Sequence, residues 1–214
     1  VVAPKPIMPY HPAMTRILVA THNPGKLAEF AALLAPLGWT VTGAGEHGLP
    51  EPDETAPDFA GNARLKALAA ATASGLPALA DDSGLCVAAL GGAPGVFSAR
   101  YAAGDYPAAF VRIITATAAA NEWRARFVCA LCLAQPDGHT ATFIGQADGR
   151  IAPAPSGVKG FGYDPIFVPL GHNQTYAELG PAIKDQTSHR ARALQQFLAA
   201  YHRHAGGGPH PRLS

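Results

Sequence analysis

The sequence predicts an α/β fold built on a mixed sheet, and three observations lead there. Short apolar runs rich in β-formers alternate with helical periodicities through the first half of the chain. Two longer β-type runs follow in the middle, joined by a turn of hairpin composition, so antiparallel strands enter the same sheet. The chain has 214 residues, 48% hydrophobic and 14% charged, which suits a folded domain with a real core rather than a disordered chain.

The elements follow in order. "TRILVAT" (15–21) reads as a buried first strand. "NPGKLAEFAALLAPL" (23–37) reads as a helix with Leu27, Phe30, Ala31 and Leu34 on its apolar face and Pro24 at its start. "WTVTG" (39–43) is a second strand, and a Pro- and acid-rich loop (48–59) carries Glu51, Asp53 and Glu54. A second helix spans 58–74, with Asp58 as N-cap and Gly75 as its stop. A third strand, 76–80, ends in Asp81 and Asp82, after which Ser83-Gly84 reads as a turn. "YPAAFVRIITATAAA" (106–120) is a third helix, 126–134 and 141–151 form a hairpin, and "PIFV" (165–168) is a short strand. Ser188 caps a last helix with Leu194, Phe197, Leu198 and Tyr201 on one face. One domain is expected over 15–204, with a flexible leader (1–14) and tail (205–214).

Composition excludes several function classes. The net charge of +1 supplies no broad basic field, so a nucleic-acid polymer is not an expected partner. No apolar run reaches the ~18 residues of a membrane span, and the first residues lack the apolar stretch of a secretory signal. Of the three cysteines, Cys129 and Cys132 stand an odd number of steps apart on one strand. They therefore face opposite sides and share neither a metal nor a disulfide. Reduced, buried thiols point to the cytoplasm.

Four segments carry chemistry. "THNPGK" (21–26) lies at a strand-to-helix junction, where backbone N–H groups and the helix dipole suit phosphate. Thr21 and Asn23 add hydrogen-bonding groups and Lys26 a charge, and the spacing is not that of a Walker A loop. The acids Glu51, Asp53, Glu54, Asp81 and Asp82 suit a hard cation such as Mg²⁺, and one of them suits proton abstraction from water. Adjacent carboxylates raise each other's pKa, so a cation is expected between them. "GFGYDPIF" (160–167) offers Phe161 as a stacking surface between glycines. In "KDQTSHRARAL" (184–194), Lys184, His189 and Arg190 gather cations near a helix N-terminus, where they oppose the macrodipole unless an anion or carbonyl offsets it.

In this order, these segments resemble the inosine triphosphate pyrophosphatase family, from about Ile17 to Tyr201. The most specific stretches are "DDSGLCVAALGGAPGVFSARY", "GFGYDPIF" and "SHRARAL". The resemblance implies a mixed, elongated central sheet flanked by helices, with two lobes around a nucleotide cleft. It implies Mg²⁺-dependent cleavage of ITP, dITP or XTP to the monophosphate and pyrophosphate, and a homodimer. Residue by residue, it assigns Asp82 as proton acceptor and metal ligand and Glu54 as the loop metal ligand, with Glu51 as fallback. Thr21, His22, Asn23, Pro24, Gly25, Lys26 and Lys66 fall on phosphate-side positions, and Ser83 on a substrate-contacting one. Phe161, Gly162, Tyr163, Asp164, Lys184, His189 and Arg190 fall on base and ribose positions. The chain departs from the family pattern at Asp58 (threonine in many relatives), Gly61 (an acid) and His22 (often glycine). Two other readings keep the same pocket: a pyrophosphatase for other modified nucleotides, and a non-catalytic nucleotide sensor.

Overall fold

The computed structural model describes residues 16–205, with side chains through Tyr201. The expected leader, and all of the expected tail but its first residue, lie outside the described residues. Six strands form one sheet in the order β2-β1-β3-β4-β5-β6. These are β1 (Arg16–Val19), β2 (Thr40–Gly43), β3 (Ala78–Val87), β4 (Arg124–Ala134), β5 (Thr140–Ile151) and β6 (Phe167–Pro169). β1 pairs in parallel with β2 and β3, and the remaining pairs are antiparallel. The sheet is mixed, as the alternation followed by a hairpin requires.

The helices are α1 (Pro24–Leu34), α2 (Phe59–Ser74), α3 (Ser98–Ala102), α4 (Tyr106–Ala120), α5 (Tyr176–Leu179), α6 (Pro181–Thr187) and α7 (His189–Ala205). Their ends obey local chemistry. Asp58 Oδ1 accepts from Gly61 N at 2.7 Å, Gly75 closes α2 in the left-handed region, and Ser188 Oγ accepts from Ala191 N at 3.2 Å. α4 forms despite its β-branched residues because Asp105 caps it and Phe110, Ile113 and Thr117 bury one face.

Each sheet face has its own filling. α1 and α7 cover one face with Leu27, Phe30, Leu34, Leu194 and Phe197 against Ile17, Leu79, Cys129 and Leu131. Ala31, expected in that stripe, is exposed, and Leu33 packs in its place. α2 covers the other face with Ala63, Ala67, Ala70 and Ala71 on Ala78, Ala80, Ala130 and Cys132. Cys129 and Cys132 therefore do lie on opposite faces, and all three cysteines are free.

One expectation fails in a way that matters. β3 does not stop at Ala80; it runs ten residues through the Asp pair, in continuous register with β4 from Ala78↔Ala134 to Val87↔Ala125. Ser83-Gly84 is not a turn. Gly84 is required because a methyl there would overlap the Gly95 carbonyl oxygen and the Ser98 hydroxyl. The segment after β3 folds back that closely. "PIFV" also shifts: Asp164–Ile166 is a single 3₁₀ turn and the strand begins at Phe167.

Candidate active site

Because β3 is extended, Asp81 and Asp82 point to opposite faces of the sheet. That resolves the apparent clash of two adjacent charges, since each carboxylate has its own cations. On the α1/α7 face, Asp81 Oδ2 lies 3.2 Å from Lys26 Nζ and 2.9 Å from Arg190 Nη2, and accepts from Ser83 Oγ at 2.6 Å. Burial opposes its charge, but Lys26 and Arg190 outweigh burial and hold the carboxyl well below the usual range. On the α2 face, Asp82 Oδ1 accepts from Lys66 Nζ at 3.1 Å and Oδ2 from Asn62 Nδ2 at 3.3 Å. The same ammonium reaches Glu54 Oε1 at 2.7 Å. Burial, with the Glu54 charge added, pushes Asp82 up to about 6 although Lys66 opposes it. Burial would raise Glu54 too, yet the hydrogen bond and charge of Lys66 hold it below the usual range.

Beside this wall a cleft opens, lined by Thr21, Asn23, Lys26, Glu51, Glu54, Lys66, both aspartates and Ser83. The lining also includes Phe161, Gly162, Tyr163, Asp164, Lys184, His189 and Arg190. The structure thus brings together fifteen of the residues singled out in the sequence and Glu51 besides. His22, Pro24 and Gly25 stay outside the lining. His22 is exposed and its Nε2 meets Leu49 O at 2.9 Å, which ties the loop down. Pro24 fills the first turn of α1, and Gly25 leaves room for the Phe161 ring, 2.7 Å from where a methyl would sit.

The geometry revises three readings of these side chains. The N–H groups of Gly25 and Lys26 are not open to phosphate, because Asn23 Oδ1 accepts from them at 2.9 and 3.1 Å. Asn23 is the N-cap of α1, and the loop offers the Asn23 amide and the Lys26 ammonium instead. The Arg190 guanidinium is engaged by Asp81 and, through Nη1, by Glu29. Those carboxylates offset the cationic start of α7, where a bound anion or carbonyl was expected. His189 is not cationic: burial, reinforced by Arg190 and Lys184, holds its pKa well below the ordinary value. Its ring stacks on Phe127 at 4.7 Å and 11°, and Nδ1 is buried without a hydrogen-bond partner.

Around the Phe161 ring, Lys184 Nζ lies 4.4 Å from the centroid and pairs with Asp164 at 2.5 Å and Glu29 at 2.7 Å. Tyr163 is a core aromatic whose hydroxyl donates to Ser98 O at 2.7 Å. Asp164 also accepts from Phe161 N at 2.9 Å, fixing the turn that presents the ring. Glu29, Tyr106 and Phe127 were missed from the sequence. Glu29 sits three residues beyond Lys26, on the turn above it, and that helical spacing is the signal that could have found it.

Among the described residues, no three His, Cys, Asp or Glu side chains converge into a metal cage. Two carboxylates sharing one ammonium, with Glu51 lining the same cleft, instead fit an ion that takes one or two carboxylates and completes its shell with water and phosphate oxygens. That is the habit of Mg²⁺.

A sequence profile of the Ham1 family matches residues 17–200. The chain belongs to the Ham1 family. Relatives of this Ham1 chain include a dITP/XTP pyrophosphatase of Gluconobacter oxydans, 53% identical over 186 residues, covering 86% of this chain and 89% of the relative. Another is the dITP/XTP pyrophosphatase of Rhodospirillum centenum, 55% identical over 188 residues, covering 86% and 93%. Among solved structures, a HAM1 protein from Coxiella burnetii superposes with a TM-score of 0.79 at 40% identity, covering 89% of this chain and 100% of that one. The resemblance read from the motifs is borne out, and so is the mixed sheet flanked by helices.

Proposed function

We propose that this Ham1-family chain is a nucleoside triphosphate pyrophosphohydrolase for deaminated purines, with dITP and XTP as its substrates along with ITP. The observation that carries the reading is the split environment of β3. A carboxyl raised to about 6, Asp82, stands beside Glu54 and Lys66. It shares one cleft with Lys26 and with the Phe161 ring. The relatives from Gluconobacter oxydans and Rhodospirillum centenum, named dITP/XTP pyrophosphatases, support the same substrate class.

In the proposed reaction the polyphosphate lies between Lys26 and Lys66, and the base stacks on Phe161. Asp82 accepts a proton from water as the water oxygen bonds to the α-phosphorus. The bond from that phosphorus to the bridging oxygen breaks, and pyrophosphate leaves with the electron pair. Lys66, fixed by two carboxylates, and Lys26, fixed by Asp81, are preorganised to stabilise the developing phosphate charge. Glu54 and Asp82 would hold Mg²⁺, which supplies Lewis-acid neutralisation of the phosphate oxygens when bound.

Base choice rests on donors. A 6-oxo purine presents an acceptor where adenine presents an amino donor. The Lys184 ammonium and a neutral His189, with one N–H donor and one acceptor, favour the former. Arg190 acts at one remove, through Asp81 and Glu29. A cytoplasmic homodimer completes the proposal, and sedimentation velocity tests the assembly. The central test is pyrophosphate release with Mg²⁺ across ITP, dITP, XTP, GTP and ATP. A kcat/KM ranking with the deaminated purines first is expected; a preference for ATP, or no release at all, would reject it.

A further inference from the structure

Arg100 follows the cleft-lining residues Ser98 and Ala99 in the chain and has no part in the proposed reaction. It lies on α3, and its Nη2 reaches the cleft residue Glu54, 3.2 Å from Oε2 and 3.1 Å from the backbone oxygen. Lys66 already holds Oε1 of that carboxylate, so both Glu54 oxygens carry a cation.

The two cations differ in how firmly they are held. The Lys66 side chain is 6% exposed, whereas the Arg100 side chain is 53% exposed. An exposed ion pair contributes little and is exchanged readily. The other cations of the cleft are less exposed and each already pairs with a carboxylate: Lys26 with Asp81, Lys184 with Glu29 and Asp164, Arg190 with Glu29 and Asp81.

The backbone under Arg100 is fixed even though its side chain is not. Ser98, two residues earlier, donates to Gly95 O at 2.6 Å and accepts from Leu85 N at 2.9 Å. Its carbonyl accepts from the Tyr163 hydroxyl, and the Arg100 guanidinium lies 5.3 Å from the Phe97 ring centroid. The Arg100 base is thus anchored to β3 and to the Tyr163 segment, while a long planar cation hangs at the rim. A guanidinium binds phosphate oxygens in a bidentate fork, and a polyphosphate in this cleft carries more charge than the single Glu54 carboxylate.

We infer that Arg100 is a displaceable phosphate contact: it rests on Glu54 in the free protein and transfers to the outer phosphates of the substrate, leaving Glu54 Oε2 open. This inference rests on the proposed function, which sets the polyphosphate in this cleft.

Inorganic tripolyphosphate, titrated into the full chain by calorimetry without added metal, tests it apart from turnover. Arg100→Ala should weaken tripolyphosphate binding about tenfold, and Arg100→Lys should restore part of the loss. Inosine monophosphate, which lacks the outer phosphates, should bind both variants like the parent. With ITP and Mg²⁺, Arg100→Ala should raise KM more than it lowers kcat. Lys26→Ala is the control. If Lys26→Ala weakens tripolyphosphate binding and Arg100→Ala does not, Arg100 only fastens the Glu54 loop and the inference falls alone. If neither variant changes the affinity, the polyphosphate binds elsewhere and the proposed function falls with it.

Discussion

Asp81 and Asp82 are chain neighbours of the same chemistry, yet the two faces of β3 give them opposite properties. On the α1/α7 side, Asp81 is buried between Lys26 and Arg190 with Ser83 donating to it, and it is held ionised. On the α2 side, Asp82 shares Lys66 with Glu54, so one ammonium serves two carboxylates, and its carboxyl rises to about 6. Two cations on the one Asp81 carboxylate make a fixed electrostatic anchor; a single ammonium, shared with Glu54, leaves Asp82 able to exchange a proton. Environment, not residue type, divides the roles.

The comparison can be broken first at Asp82. Asp82→Asn should lower kcat for ITP by about 10²–10⁴ while shifting the thermal midpoint little, because Lys66 keeps Glu54; turnover within a few-fold of the parent would remove Asp82 from the chemistry. Asp81→Asn should do the reverse in emphasis. It leaves the buried Arg190 guanidinium with Glu29 alone, at a cost of up to about 3–5 kcal/mol, read by urea unfolding; a loss below ~1 kcal/mol would show that Asp81 anchors nothing.

His189 sharpens the same contrast through pH. Its folded-state pKa lies well below the ordinary value, so below pH ~6.5 the unfolded chain binds a proton that the folded chain refuses. Stability therefore falls as pH drops through that value, by up to about 1.4 kcal/mol per pH unit, until the folded-state pKa is reached. His189→Gln should flatten the pH dependence of stability between pH 7 and 5.5; an unchanged slope would contradict the neutral imidazole. The smallest effect is expected at Arg126–Asp148, only 2.6 Å apart but about half exposed on both sides. Arg126→Ala should change stability by no more than ~1 kcal/mol, a measure of how little distance decides without burial.

Much of the fold was legible because its signals are local. The caps at Asp58 and Ser188, the αL stop at Gly75 and the stripe through Leu194 and Phe197 depend on residues a few positions apart, and the sheet alternation that separates Cys129 from Cys132 follows from strand geometry alone. The motifs of the cleft were legible as segments. What escaped was pairing. Glu29 meets Arg190 from 161 positions away, and Arg100 meets Glu54 from 46. The Asn23 side chain could be read as a ligand group or a cap, and only its distances to two backbone nitrogens decide for the cap. The end of β3 was misread because a Ser-Gly pair after two aspartates has turn composition, while the β4 partner strand that holds it extended lies some forty residues later.

By itself the sequence determined most of the longer strands and helices, most of their apolar faces, and which residue types could handle phosphate, base and proton. It determined these because side-chain periodicity and capping are short-range. The tertiary structure alone decided that β3 continues through its own charges and sends each to a different face. It also decided which cation each carboxylate receives, and so which aspartate stays ionised and which can take a proton. Those outcomes depend on burial and on charges brought together across the chain, and burial exists only once the sheet and its covering helices have closed.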